Sequence, residues 1–299
     1  MTDLGFLICV EHGRLENESV LLAESIRRWG GAAAESAIYA FSPRPDFLPE
    51  PATVERLEAL GVRQITEPLI PDLPGGLPTF NKVFVSAWAE RELDHETLVF
   101  TDTDTVLVGE PTRLLSGDWV AAARPVDRRI AGSRGKGKNE PYWRRMYEAL
   151  GVTEEPFVET AVGQMRIRAY WNSGLLAARR SAGLFGAWER ALKTLYDRDL
   201  VFHRMPQFMD QLSWAGVTAN HHDRMLILPA AYNYPLRQRG GLDDEARDLD
   251  LAEIVHLHYR LFFHLPEPLG AVSPPFDPGT EHYAWLDERL PLEPIVDEA

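Results

Sequence analysis

One cysteine in 299 residues, Cys9, excludes a disulfide within the chain and any zinc site built from several thiolates. Long apolar runs are missing too. The stretch around Cys9, residues 5–10, is too short to span a bilayer. It has neither the basic flank nor the small-residue cleavage site of a secretory signal. No transmembrane segment is therefore expected, Cys9 reads as a small buried residue, and the reducing cytoplasm is the expected compartment. Repeats, heptads and low-complexity tracts are absent, and no break in composition marks a domain boundary. Positive charge is scarce: 31 Lys and Arg against 45 Asp and Glu leave a formal charge of −14. Attraction to phosphate is the main source of non-specific nucleic-acid affinity, so no nucleic-acid partner is expected. The acidity reads as solubility.

What remains is ordinary globular composition, 45% hydrophobic and 25% charged. The length suits one large α/β domain with a substantial core. Residues 5–10 read as a buried strand, followed by an amphipathic helix over 17–29 that Gly30-Gly31 stops. A second strand is expected over 36–41, a short helix over 51–60 with Gly61 past its end, and a third strand over 62–66. Such alternation implies a parallel sheet with helices on its faces. Residues 68–78, rich in proline and glycine, form a loop. Thr79 then looks like the N-cap of a helix reaching about residue 93, and strands follow over 97–101 and 119–123. The basic, glycine-rich stretch 128–138 is the candidate mobile loop. Further helices are expected over 141–150, 181–196 with Ser181 as cap, and 206–216. Further strands are expected over 164–168, 173–178, 224–228 and 254–259.

The most informative segment is Thr97-Leu-Val-Phe-Thr-Asp102-Thr-Asp104-Thr-Val-Leu-Val108. An apolar strand running into alternating aspartates delivers carboxylates to the C-terminal rim of a sheet, where open α/β folds bind ligands. In extended chain, Asp102 and Asp104 would project to the same side. A divalent cation would relieve their repulsion; hard oxygen ligands suit Mn²⁺ or Mg²⁺, with substrate phosphates completing the shell. The plainer alternative is a pair of turn aspartates ending a strand.

With these residues the chain resembles a glycosyltransferase of the GT-A fold, most of all the retaining, glycogenin-like family 8. Four segments carry the resemblance: Glu24-Ser-Ile-Arg-Arg-Trp29 after the first strand; Asn81-Lys82 ahead of Phe100-Thr-Asp-Thr-Asp104; Trp171-Asn-Ser-Gly-Leu-Leu-Ala177; and Asp210-Gln211, followed by Val255-His256-Leu-His258-Tyr. The resemblance implies an α/β chain with a GT-A (Rossmann-like) mixed central sheet flanked by helices, residues 1–299 as a single domain. About 1–125 would bind the nucleotide, about 140–265 would carry the acceptor and catalytic half, and 266–299 would wrap the surface. It implies a nucleotide-diphosphate sugar donor, with a UDP-sugar favoured, an acceptor of unknown identity, and Mn²⁺ or Mg²⁺. Asp102 would contact the donor ribose and the metal, and Asp104 the metal. A histidine of the 256–258 segment would be the third ligand, with His256 preferred over His258. Asn172 would line the transferred sugar, while Asp210 and Gln211 would lie under the anomeric carbon. Lys82 would approach the sugar or diphosphate, and His12 sits where relatives contact the nucleotide. The chain departs from the family's pattern where a lysine usually follows the ligand histidine: Leu261 takes that place, and Arg260 is the nearest cation.

Each motif has a plainer alternative. A histidine in an apolar strand commonly packs in the core. Asn172-Ser-Gly174 could be only a bend, and Asp210-Gln211 an acid and amide on a helix surface. Loop 128–138 could be solvated surface rather than a lid that excludes water. A rival function is a haloacid-dehalogenase-like phosphatase with Asp102 as nucleophile and Asp104 as acid/base. That motif normally opens its domain, whereas three β/α elements precede it here. A non-catalytic nucleotide-sugar binder is the third possibility.

Overall fold

The apolar runs of the first hundred residues become four neighbouring parallel strands: β1 (Leu4–Cys9), β2 (Ala37–Phe41), β3 (Val62–Ile65) and β4 (Thr97–Thr101). The computed structural model describes residues 3–71, 77–128 and 130–293. Parts of the expected 68–78 loop, of the basic loop (Arg129) and of the C-terminal wrap lie outside the described residues. Helices α1 (Arg14–Trp29), α2 (Pro51–Ala59) and α3 (Asn81–Glu92) make the connections. Side chains of β1 alternate between two cores. Leu4, Phe6 and Ile8 pack with Val20, Leu22 and Ile26 of α1, while Leu7 packs with Val83 and Phe84 of α3. Burying each such side chain is worth about 1.5–3 kcal/mol, which fixes both helices on the sheet.

Past β4 the chain leaves this sheet. β5 (Thr105–Leu107) belongs to a second, three-stranded sheet, whereas β6 (Ala121–Arg124) returns to the first. After α4 (Thr112–Leu115) and α5 (Glu140–Ala149) come a β7 (Phe157–Glu159) and β8 (Arg166–Arg168) hairpin and the long β9 (Asn172–Arg179). β9 runs antiparallel between β4 and β6, and β10 (Met225–Ile227) closes the edge, giving the order β10-β6-β9-β4-β1-β2-β3. Between β9 and β10 lie α6 (Leu184–Asp197) and α7 (Met209–Ala219). The small sheet is completed by β11 (Tyr234–Pro235) and β12 (His256–His258) in the order β11-β12-β5. α8 (Asp244–Arg247) lies between those two strands, and α9 (Glu281–Asp287) follows them. No helix among the described residues is long and apolar enough to cross a membrane.

Several expectations shift for local reasons. Asp102-Thr103-Asp104 is a turn between two sheets, not extended chain. Thr79 caps nothing: Pro78 starts a 3₁₀ turn, Pro78–Phe80, and α3 begins after it. Ser181 lies in another 3₁₀ turn, and Gly183, at φ 67°, starts α6 instead. The C-terminal wrap contains α9, capped by the Thr280 hydroxyl, with His282 stacked on Trp29 of α1.

Candidate active site

β4 is buried along its whole length, so the first polar side chains after it emerge at the rim where the two sheets meet. The turn is fastened on both sides. The Asp102 amide donates to the Gly174 carbonyl at 3.0 Å, and the Thr105 hydroxyl to the Asp102 carbonyl at 2.6 Å. The Asp104 carbonyl accepts from the Tyr259 amide at 3.1 Å. The turn makes the two carboxylates converge without an extended backbone.

Asp102, Asp104 and His258 each offer a ligand atom, all within 4.8 Å of one another. Asp104 Oδ1 lies 3.4 Å from His258 Nε2. Burial pushes the Asp104 carboxyl upward, but the His258 imidazole, with Arg14 and Lys82 behind it, holds it well below the usual carboxylate range. His258 is aimed by its other nitrogen, which lies 3.0 Å from Asn233 Oδ1. Asn233 Nδ2 in turn donates to Asn172 Oδ1 at 2.9 Å, and that oxygen also takes the Gly174 amide at 2.9 Å. Gly174 matters for a steric reason: a Cβ there would come within 2.5 Å of His258 Nδ1. The glycine of the Asn-Ser-Gly segment lets the imidazole lie against β9.

His256, the histidine expected to join the aspartates, does not. β12 pairs antiparallel to β5, setting His258 opposite Thr105 beside the turn and His256 opposite Leu107, two residues deeper. His256 is buried, shares a 2.9 Å hydrogen bond with the Thr101 hydroxyl, and burial drives its pKa down to about 3. It is a neutral core histidine under the site.

Lys82, on the first turn of α3, ties the carboxylates to the second half of the chain. Its ammonium donates to Asp102 Oδ1 at 2.6 Å and to Ser173 Oγ at 3.2 Å, and sits 3.8 Å from Asp210 Oδ2. Burial pulls its pKa down, and the two aspartates more than reverse this. Asp210 opens α7, nearly inaccessible to solvent, with Oδ2 accepting from Ser173 Oγ at 2.7 Å. Burial raises its pKa to about 6 against the pull of Lys82 and Ser173.

Two cavities meet at the aspartates. The first, about 470 Å³, is walled by Glu11, His12, Arg44, Phe47, Asn81 and Phe100. The second, about 290 Å³, is walled by Asn172, Gln207, Phe208, Asp210, Gln211, Arg237, His258, Arg260 and Leu261. Both share Arg14, Thr79, Lys82, Asp102 and Asp104. A cavity of about 510 Å³ between α1 and the C-terminal segment is larger, but neither aspartate borders it. The two that hold the titratable cluster are the chemically relevant ones. His12, on the wall of the first, lies 3.3 Å from Glu16 and 3.4 Å from Glu50. Arg260, at φ 54°, donates its backbone N–H to the Asp104 carbonyl at 3.3 Å.

The sequence did not mark Arg14, Glu11, Ser173 or Asn233 as site residues. Glu11 lines the first cavity, accepting from Arg44 Nε and Asn81 Nδ2, both at 2.7 Å. Ser173 was readable only as the middle of the Asn-Ser-Gly segment, and Asn233 carries no motif at all. The basic loop lines neither cavity in its described part. It is pinned by Trp143 Nε1 on the Ala131 carbonyl, Ser133 Oγ on Glu140, and the Arg168 amide on the Ser133 carbonyl.

A mixed sheet whose central strand ends in paired aspartates, with a nearby strand running against the rest, is the arrangement of the GT-A fold. The chain belongs to the Rhodobacterales glycosyltransferase domain family, whose model matches residues 6–221. The galactosyltransferase LgtC, solved with donor and acceptor sugar analogues, has a similar structure: TM-score 0.54 at 15% identity, covering 97% of this chain and 98% of that one. The bifunctional glycosyltransferase WbbM gives 0.55 at 14% identity, and GlyE of Streptococcus pneumoniae TIGR4 gives 0.53 at 15%, each covering 97% of this chain. The chain spans 52% of WbbM and 61% of GlyE. No curated protein sequence matches it. At such identities the structural likeness speaks for the fold; the family speaks for sugar transfer.

Proposed function

We propose that the chain transfers a sugar from a nucleotide-diphosphate sugar, gripped through a divalent cation, to an acceptor, with retention at the anomeric carbon. The observation that carries this is the meeting of two cavities, of about 470 and 290 Å³, at Asp102, Asp104 and Lys82; the first would take the nucleoside and the second the sugar. Two carboxylates and one imidazole within 4.8 Å suit Mn²⁺ or Mg²⁺, so Asp102, Asp104 and His258 would hold the ion. When bound, it would stabilise, as a Lewis acid, the charge that grows on the departing diphosphate.

The protein's own groups do the rest. Asn233 fixes His258 with Nε2 toward Asp104. Lys82 holds Asp102 and keeps a positive charge beside Asp210. Asn172, its Oδ1 engaged with Gly174 and Asn233, lines the sugar side of the second cavity. Asp210 and Gln211 face that cavity, where positive charge at the anomeric carbon needs a polar group beneath it. Arg260 offers a cation at its edge. The family resemblance favours a UDP-sugar.

Incubating the chain with UDP-sugars, with and without Mn²⁺, tests the reading. Nucleoside diphosphate should be released in the metal's presence. Release of inorganic phosphate instead would favour the phosphatase alternative, and no release with any nucleotide sugar would leave only a binder.

A further inference from the structure

We propose that Arg14 clamps the donor's diphosphate, and that the buried Glu18–His264 pair serves to aim it. The inference rests on the donor reading above. A diphosphate linking a nucleoside in the first cavity to a sugar in the second must pass where the cavities share walls. Two cations stand there, Arg14 and Lys82. The Lys82 ammonium is already committed to Asp102 and Ser173. Arg44 borders only the first cavity, and Arg237 and Arg260 only the second. Leu261, 58% exposed, adds an apolar wall. Among the described residues, Arg14 is therefore the one arginine lining both cavities.

Its support is unusual. Arg14 opens α1 with its side chain 41% exposed, and Nη1 pairs with Glu18 one turn further on. An exposed pair at this spacing would be worth little, yet Glu18 has no exposed surface. Its carboxylate also takes Thr103 Oγ1 at 3.2 Å, between the two aspartates, and contacts His264 Nε2 at 3.0 Å. His264 is fixed from behind by the Leu292 carbonyl, 2.8 Å from Nδ1. Burying a carboxylate is costly unless it is well bonded. What this arrangement achieves is a guanidinium held at the junction, where a planar fork of donors matches phosphate oxygens.

Calorimetric titration of the full chain in Mn²⁺ with UDP and UMP, and with GDP and GMP, tests this. Arg14→Met should weaken the diphosphate by about tenfold or more, the scale of a lost charge-assisted bond, and the monophosphate by less than about threefold. Arg14→Lys should recover part of the loss. Glu18→Gln, which keeps the shape and removes the charge, should narrow the same diphosphate-over-monophosphate preference. Undiminished diphosphate affinity in Arg14→Met overturns the inference alone. So does an equal loss for both phosphates, which would place Arg14 on the base or ribose. If the unaltered chain binds neither pair, the donor reading itself fails, and the inference falls with it.

Discussion

Asp104 faces His258 on one side and the junction of the two cavities on the other. Replacing it with alanine removes one of two carboxylates that would share the cation and takes the carboxylate away from His258 Nε2. A ligand at a hundred times its dissociation constant stabilises the folded chain by about 2.7 kcal/mol, several degrees in melting temperature for a chain of this size. Asp104→Ala should lose the Mn²⁺-dependent part of the shift given by UDP while melting cooperatively alone; a preserved shift would place the metal elsewhere. Asp210 makes a separate prediction. Burial raises its pKa to about 6, against about 3.9 in the unfolded chain. The folded chain thus holds the extra proton between those values, and its stability falls as pH climbs from about 4 to about 6, by on the order of 3 kcal/mol. Asp210→Asn cannot lose that proton. In urea unfolding it should match the unaltered chain near pH 4 and exceed it near pH 7. A difference that does not change with pH would show that Asp210 ionises freely.

Between elements, the decisive contact is β12 against β9. Gly174→Ala would set a Cβ 2.5 Å from His258 Nδ1 and 3.0 Å from Asn172 Oδ1. Neither neighbour can retreat without breaking the Asn233 bridge, so the imidazole should turn from Asp104. Support-shell changes of this kind weaken metal binding by roughly 10–100-fold, and overpacking costs about 1–3 kcal/mol. Manganese titration and urea unfolding of Gly174→Ala check both; unchanged manganese affinity would mean that His258 is not a ligand. The same contact shows what the sequence could carry. The strands and helices of the first half were legible because apolar spacing is local, and the aspartate pair because an apolar strand leads straight into it. The choice between His256 and His258 was not. Both lie on one side of one short strand, and only the pairing of His258 with Thr105, 153 positions apart in the chain, decides between them. Ser173 and Asn233 were hidden for the same reason, since each acts through a partner from a distant element.

At the scale of the whole molecule, the rim of the sheet borders two cavities with different walls. Phe47, 45% exposed, lines only the first cavity, and the Arg44 guanidinium lies 4.1 Å over its ring. Phe208, ending the 3₁₀ turn before α7, lines only the second. If the first cavity holds the nucleoside, Phe47 offers its base a stacking face, worth about 1–3 kcal/mol by alanine substitution in comparable settings. Phe47→Ala should then weaken UDP binding by about tenfold or more, with little change in acceptor KM. Phe208→Ala should raise acceptor KM and leave UDP affinity nearly untouched, because the two rings share neither cavity nor ligand. Steady-state kinetics with both substrates varied, alongside UDP titration, would separate these effects. Crossed results, with Phe208 governing the nucleotide, would exchange the cavities' roles; equal effects on both substrates would mean that the rim does not divide donor from acceptor.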